Sequence, residues 1–226
     1  VNNIMFALVD KSDNSITKIL SGKKGLTLGD TQYPKAIFNL WSEAERNAIN
    51  IYTITIDNSK RKDETWYMNT NLTYAFDGTN ATGSYGDATA KAHADVNEVW
   101  TQDEIDKGYA PDGTSADDAK NDSDGNQIVT LGLKTKLIQT IKSQAETELN
   151  KTDWYITRKS EKNTAIPSAI TTHRDAVRSK QASMCTSITN ASDTPALETL
   201  YTVVNTADEG DDPVYARPIG VIPTLD

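Results

Sequence analysis

The amino-acid sequence predicts an α+β protein: a small antiparallel β-rich N-terminal domain with one short helix, an acidic linker and a C-terminal α-helical hairpin. Three observations lead to this prediction. Short runs of alternating apolar and polar residues fill residues 1–94, small polar and acidic residues dominate 95–130, and apolar residues recur at helical spacing across 131–204. Residues 205–226, which contain three prolines, are predicted to form an extended tail.

The N-terminal domain is predicted from strand-like runs separated by turn clusters. Asp77-Gly78 is typical of a hairpin turn between two of these strands. The predicted strands cover residues 4–9, 16–20, 25–28, 51–56, 65–68, 72–76 and 81–85. Their short length indicates a small sheet.

The single short helix of this domain is predicted from its capping residues. Ser42 stands three residues before Glu45, which is the spacing of a capping box, and the helix is expected to run to about residue 48. Asn50 follows where a helix end favours a left-handed residue. The helix is expected to pack on the sheet.

The acidic linker holds most of the net charge of −9. Between residues 95 and 124, ten Asp or Glu stand against two lysines, Lys107 and Lys120. A segment so rich in charge and poor in apolar residues is expected to be solvated. Trp100 and its apolar neighbours predict one anchored turn, with a short helix over 102–107.

The C-terminal hairpin is predicted from apolar residues three and four positions apart. The first helix is expected to run from residue 133 to about 159. Pro167 and Ser168 open a second helix that ends near residue 190, and Thr194-Pro195 opens a third, short one to about residue 201. Residues 131–190 hold ten Lys or Arg against five acidic residues, so this unit is a natural partner for acidic surfaces, including the chain's own linker.

Composition argues against several classes of protein. The single cysteine, Cys185, excludes an internal disulfide framework and a cysteine-based zinc site. A pI near 4.8 argues against general nucleic-acid binding. The longest apolar run, residues 4–9, is too short for a membrane span or a signal peptide, so we expect a soluble protein without a secretion signal.

Candidate metal and catalytic motifs favour structural interpretations. Asp122-Ser123-Asp124-Gly125 resembles the start of a calcium loop, but aligning its glycine puts Lys120 and Leu131 at ligand positions, which favours an ordinary turn. Neither His93 nor His173 has a nucleophile nearby in a recognisable motif or a carboxylate at metal-ligand spacing. Surface or helix-cap roles are therefore expected for both. We therefore predict no catalytic residue, no metal and no cofactor.

The hairpin carries the candidate partner-docking residues, which combine two aromatic rings with cationic side chains. They are Trp154, Tyr155, Arg158, Arg174 and Arg178. The alternative is a solvated cationic face in which one aromatic ring fills the core of the hairpin.

Two ordered sets of residues resemble tail-fibre assembly and tail-associated proteins of tailed bacteriophages, especially those of marine phages. The N-terminal set is Leu26-Thr27-Leu28, Gln32-Tyr33-Pro34, Trp41-Ser42-Glu43-Ala44-Glu45-Arg46 and Ile49-Asn50-Ile51-Tyr52. The C-terminal set is Thr152-Asp153-Trp154-Tyr155, Arg158, Glu161, Ile166-Pro167, Thr171-Thr172, Arg174 and Val177-Arg178. The family usually has glycine where this chain has Asn50.

The resemblance implies a non-enzymatic structural protein of the virion tail or fibre. Such a protein would be made in the cytoplasm of the bacterial host and would dock, in several copies, with other phage tail or fibre proteins. A chaperone-like tail-fibre assembly factor absent from the mature virion is the alternative. A fibre-borne glycan hydrolase would need paired carboxylates on a rigid scaffold, whereas the carboxylates here cluster in the predicted linker.

Overall fold

The computed structural model describes residues 4–225 and confirms the α+β class. The chain divides into two compact units, Val1–Thr89 and Ala90–Asp226. The first unit is β-rich and the second carries the long helices. Along the chain, the boundary between the units lies five residues before the change of composition at residue 95.

The first unit is built from short strands and two short helices. In chain order its elements are β1 (Phe6–Asp10), β2 (Ser15–Leu20), β3 (Leu26–Leu28), β4 (Thr31–Tyr33), α1 (Ile37–Leu40), α2 (Glu43–Ala48), β5 (Ile51–Asp57), β6 (Tyr67–Met68), β7 (Thr73–Phe76) and β8 (Ala81–Ser84), with β9 (Thr89–Ala90) at the boundary. The capping box of α2 is confirmed, since the Ser42 hydroxyl accepts from the Glu45 N–H and the Glu45 carboxylate accepts from the Ser42 N–H. Asn50 is left-handed, with φ of 61°.

The main sheet has the strand order β2-β1-β5-β8-β7. The pairs β1–β2, β1–β5 and β7–β8 are antiparallel, and the hairpin at Asp77-Gly78 is confirmed. One pair departs from the predicted antiparallel arrangement: β5 and β8 are parallel, with Ile54 opposite Ala81. Residues 58–80 supply the long crossover that a parallel pair requires.

Both faces of the sheet are covered by apolar side chains. Phe6 and Ile51 belong to a cluster that includes α1, whereas their neighbours Ala7 and Tyr52 belong to a second cluster. Successive strand residues point to opposite faces, which explains the division. The prediction of one helix missed α1, because its Ile-Phe-Asn-Leu sequence gives too short an apolar run to show helical spacing.

The predicted acidic linker is instead a folded excursion from the second unit, and we call residues 95–130 the acidic arm. Its β10 (Val96–Asn97) pairs antiparallel with β11 (Val129–Thr130), and α3 (Gln102–Asp106) begins at a capping box. The Gln127 side-chain amide donates to the backbone carbonyls of Glu98, Lys120 and Ile128. Polar contacts thus order a segment that has little apolar surface to bury.

The helices of the second unit are α4 (Leu133–Asn150), α5 (Asp153–Lys162), α6 (Ser168–Asn190) and α7 (Thr194–Tyr201). The second and third predicted helices are confirmed as α6 and α7. The prediction of one continuous first helix to residue 159 is wrong, because the chain turns at Thr152 and continues as α5. Ile141 of α4 and Val177 of α6 are buried where the two helices pack.

The predicted extended tail contains a short hairpin and packs on the helices. After α7, β12 (Val204–Asn205) pairs antiparallel with β13 (Tyr215–Ala216). Ile219 and Ile222 are then buried, and the Ile219 N–H donates to the Leu200 carbonyl at 3.0 Å. The prolines separate short segments that pack back on the helices.

Candidate protein-docking surface

The turn between α4 and α5 is held by Arg174 of α6. The Arg174 Nη1 donates to the Leu149 carbonyl at 2.8 Å, to the Thr152 hydroxyl at 2.7 Å and to the Asp153 carboxylate at 2.8 Å. Thr152 is fully buried, and its hydroxyl donates in turn to the Leu149 carbonyl at 2.9 Å. We call Arg174, Thr152 and Asp153 the clasp, because together they fix the first turn of α5.

Just beyond the clasp, α5 exposes an aromatic stack. The ring centroids of Trp154 and Tyr155 lie 3.8 Å apart, with 31° between the ring planes. The Arg158 guanidinium lies 4.8 Å from the Trp154 ring centroid and 5.1 Å from that of Tyr155. Cations attract aromatic faces at such distances. Trp154, Tyr155 and Arg158, which we call the stack, therefore support one another on a single helix.

Trp154 remains half-exposed although it is the largest side chain of the stack. Its exposed fraction is 51%, and Ile156 beside it is 43% exposed. Trp154 does not fill the hairpin core, which Ile141, Ala145 and Val177 occupy. The alternative of a core-filling aromatic therefore does not apply to Trp154.

The five predicted docking residues do not all lie together. Trp154, Tyr155 and Arg158 form the stack, whereas Arg174 is 7% exposed and belongs to the clasp beneath it. Arg174 therefore positions α5 and offers no surface to a partner. Arg178 is exposed and pairs with Asp175 at 3.3 Å, and within residues 4–225 no hydrogen bond or ion pair joins it to the stack.

A buried charged cluster on α4 and α6 carried no sequence signal. Glu148 is nine-tenths buried, and its carboxylate accepts from the Lys151 ammonium at 2.5 Å. This hydrogen bond lowers the pKa of Glu148. The His173 Nε2 lies 4.0 Å from the same carboxylate, with only 9% of its side chain exposed, so the expected surface or cap role of His173 is wrong.

The tail forms one side of a groove with α4, α6 and α7. Its volume is about 410 Å³, and its walls include Leu137, Met184, Tyr201 and Ile222. The groove is mainly apolar, with the charged groups of Glu148 and Arg217 among its walls. No pattern in the sequence indicates this groove, because its walls come from four separate elements.

The turn that resembles a calcium loop uses its carboxylate for its own backbone. The Asp122 Oδ1 accepts from the Asp124 N–H at 2.9 Å and from the Asn126 N–H at 2.8 Å. These bonds lower the pKa of Asp122, that from Asn126 most. The chain thus forms the predicted turn at residues 122–126.

Two kinds of feature are absent from residues 4–225. No group of three or more His, Cys, Asp or Glu side chains is arranged to hold a metal ion. In the same part of the chain, none of the helices combines the length and the apolar character needed to span a bilayer.

We compared the chain with protein-family models, with curated proteins and with solved structures, and none of them matches it.

Proposed function

We propose that this protein is a non-enzymatic structural component of a bacteriophage virion, in the tail or fibre system, which docks other tail or fibre proteins through α5. The phage context rests on the two sets of motif residues. One structural observation supports the docking role: among the C-terminal motif residues, Thr152 and Arg174 of the clasp are buried, whereas Trp154 of the stack is half-exposed. The clasp would then hold α5 in place, and the stack would offer the surface that a partner contacts.

The stack has the chemistry of an interface hot spot. Trp, Tyr and Arg are the residues most enriched where truncation weakens binding most. Here one residue of each type lies on the same helix, with Trp154 half-exposed. The clasp fixes the start of that helix, so little conformational freedom is lost when a partner binds.

The non-enzymatic part of the proposal is supported by the use of the polar side chains. In the second unit they cap helices, close turns and hold the clasp, as Thr101, Asp122 and Arg174 do. A hydrolytic activity on host surface polysaccharide that is abolished by one Asp or Glu substitution would contradict it.

Mass spectrometry of purified particles tests the proposed location. We expect peptides of this chain in particles of the phage that encodes it, at a constant ratio to the known tail proteins through successive density gradients. Absence of the chain from mature particles, together with its presence in lysates during assembly, would overturn the virion role and favour the chaperone-like assembly factor.

A further inference from the structure

The acidic arm keeps most of its charge without a counter-ion. Its two lysines both pair within the arm, Lys107 with Asp103 and Lys120 with Glu104. Of its ten carboxylates, the other eight have no ion-pair partner among residues 4–225. The arm also exposes apolar side chains, since Val96, Val99, Ile128 and Val129 are each at least 36% exposed.

The helices show the opposite imbalance. Of the ten cations in residues 131–190, only Lys151, Arg174 and Arg178 have a carboxylate partner, and in each case it lies on the helices themselves. The remaining seven have none among the described residues, and α5 carries three of them, Arg158, Lys159 and Lys162. These three accompany the exposed Trp154 and Ile156.

Within one copy, the arm and α5 are attached at opposite ends of α4. The Asp95 carboxylate fixes the root of the arm, because it accepts from the Gly132 N–H at 2.7 Å and from the Thr135 hydroxyl at 3.0 Å. Eighteen residues of α4 separate this root from the α5 turn, a distance of about 27 Å at 1.5 Å per residue. No ion pair of the described residues joins the arm to the helices.

We propose that the acidic arm of one copy docks on α5 of a second copy of this chain. Carboxylates of the arm would face Arg158, Lys159 and Lys162, and its exposed apolar side chains would cover Trp154 and Ile156. Each copy then offers one arm and one α5, so two copies can exchange arms in a closed dimer, or the contact can repeat head-to-tail into a ring or a filament. This inference rests on the proposed docking role of α5 and takes a further copy of the same chain as one of the virion proteins that α5 docks.

Self-association of the full chain tests the inference. Sedimentation velocity of the purified protein should show species larger than the 24.8 kDa monomer that increase with protein concentration at about 0.05 M NaCl. About 1 M NaCl shortens the screening length to about 3 Å and should return the protein to the monomer. A monomer at every concentration in low salt would overturn the proposal.

Two charge-reversed variants identify the surfaces. The arm variant is Asp112→Lys with Asp124→Lys, and the helix variant is Lys159→Glu with Lys162→Glu; all four side chains are exposed and without ion-pair partners. Each variant alone should associate at least about tenfold more weakly than the unchanged protein. A mixture of the two should recover association, because the unchanged arm of the helix variant then meets the unchanged α5 of the arm variant.

A matched control carries the same charge change elsewhere. Lys18→Glu with Lys24→Glu adds the same negative charge as the helix variant on exposed positions of the first unit, and should associate like the unchanged protein. Circular dichroism confirms that each variant is folded. Association that survives both reversals, or a mixture that stays monomeric, would overturn the arm-to-α5 contact. Neither result affects detection of the chain in virions, so the two proposals fail independently.

Discussion

Three arginines of the hairpin, Arg158, Arg174 and Arg178, have three different surroundings. Arg158 lies over two aromatic rings, Arg174 is buried in the clasp, and Arg178 pairs with Asp175 at the surface. The sequence groups them as one cationic face, because spacing shows which face of a helix a residue occupies but not how deeply a neighbouring helix covers it. The degree of burial therefore distinguishes Arg174, which supports α5 from below, from Arg158 and Arg178, which reach the surface.

Replacing Arg174 should destabilise the protein far more than replacing Arg178. Arg174→Ala removes three hydrogen bonds and leaves the buried Thr152 hydroxyl without its donor, at a cost of about 2–3 kcal/mol in the free energy of unfolding. Arg178→Ala removes an exposed ion pair and should cost less than about 0.5 kcal/mol. Urea denaturation measures both, and equal losses would show that the clasp does not hold α5.

At the scale of elements, local signals found the helices with clear boundaries. Pro167 and Ser168 mark the start of α6, and Thr194-Pro195 marks that of α7, where the Asp193 carboxylate accepts from the Ala196 N–H. The break at Thr152 was missed because its cause, the Arg174 guanidinium, lies 22 residues further along the chain. The acidic arm was missed for a similar reason, since Gln127 joins backbone groups far from it in sequence.

The joint between the acidic arm and α4 should not tolerate a side chain at Gly132. A Cβ there would lie 2.3 Å from the backbone of Ala94 and 2.8 Å from the His93 carbonyl oxygen. Gly132→Ala should lower the free energy of unfolding by about 1–3 kcal/mol, as for other overpacked sites.

Gly113→Ala provides the comparison in the same arm. Its Cβ meets no atom within 4 Å, but the φ of 81° disfavours alanine, so the expected cost is about 1–2 kcal/mol without a steric clash. Hydrogen exchange separates the two cases: Gly132→Ala should speed amide exchange at Leu133 and Lys134, whose N–H groups donate to the carbonyls of Ala92 and His93 just before the arm, and Gly113→Ala should not. Unchanged exchange in Gly132→Ala would contradict the tight joint.

The acidic arm should loosen in acid. The hydrogen bond from Lys120, with those from Thr101, lowers the pKa of Glu104 from 4.5 to about 2. Since the folded-state pKa is the lower one, this carboxylate stabilises the arm above pH 4.5, and its contribution is lost as the pH falls toward about 2.

NMR titration of the Glu104 side-chain carboxyl carbon measures this pKa directly, and a midpoint near 4.5 would contradict the Lys120 contact. In Glu104→Gln the amide keeps one acceptor but no charge. We expect its arm to be less stable at neutral pH and to lose the acid dependence that Glu104 causes. Glu98→Gln, at a carboxylate outside the Lys120 pair, is the matched control.

At the scale of the molecule, a β-rich unit and a helical unit divide the chain, and the sequence predicted this division from the period of its apolar residues. The period of the apolar residues could not predict that β5 pairs parallel with β8. This pairing depends on the path of the chain through residues 58–80, and the sequence of neither strand records that path. The sequence predicted the three stack residues as part of one docking set with Arg174 and Arg178. Only the packing of α6 on α4 shows that Arg174 is buried and does not belong to the stack.

The central claim is that the stack on α5 attaches this protein to a phage particle. The most direct test counts copies of the chain per purified particle when the phage carries Trp154→Ala, compared with Tyr215→Ala, an exposed aromatic outside the helices. We predict that Trp154→Ala lowers incorporation by about tenfold or more while the purified variant remains folded, and that Tyr215→Ala leaves incorporation unchanged. Normal incorporation of folded Trp154→Ala would contradict the claim.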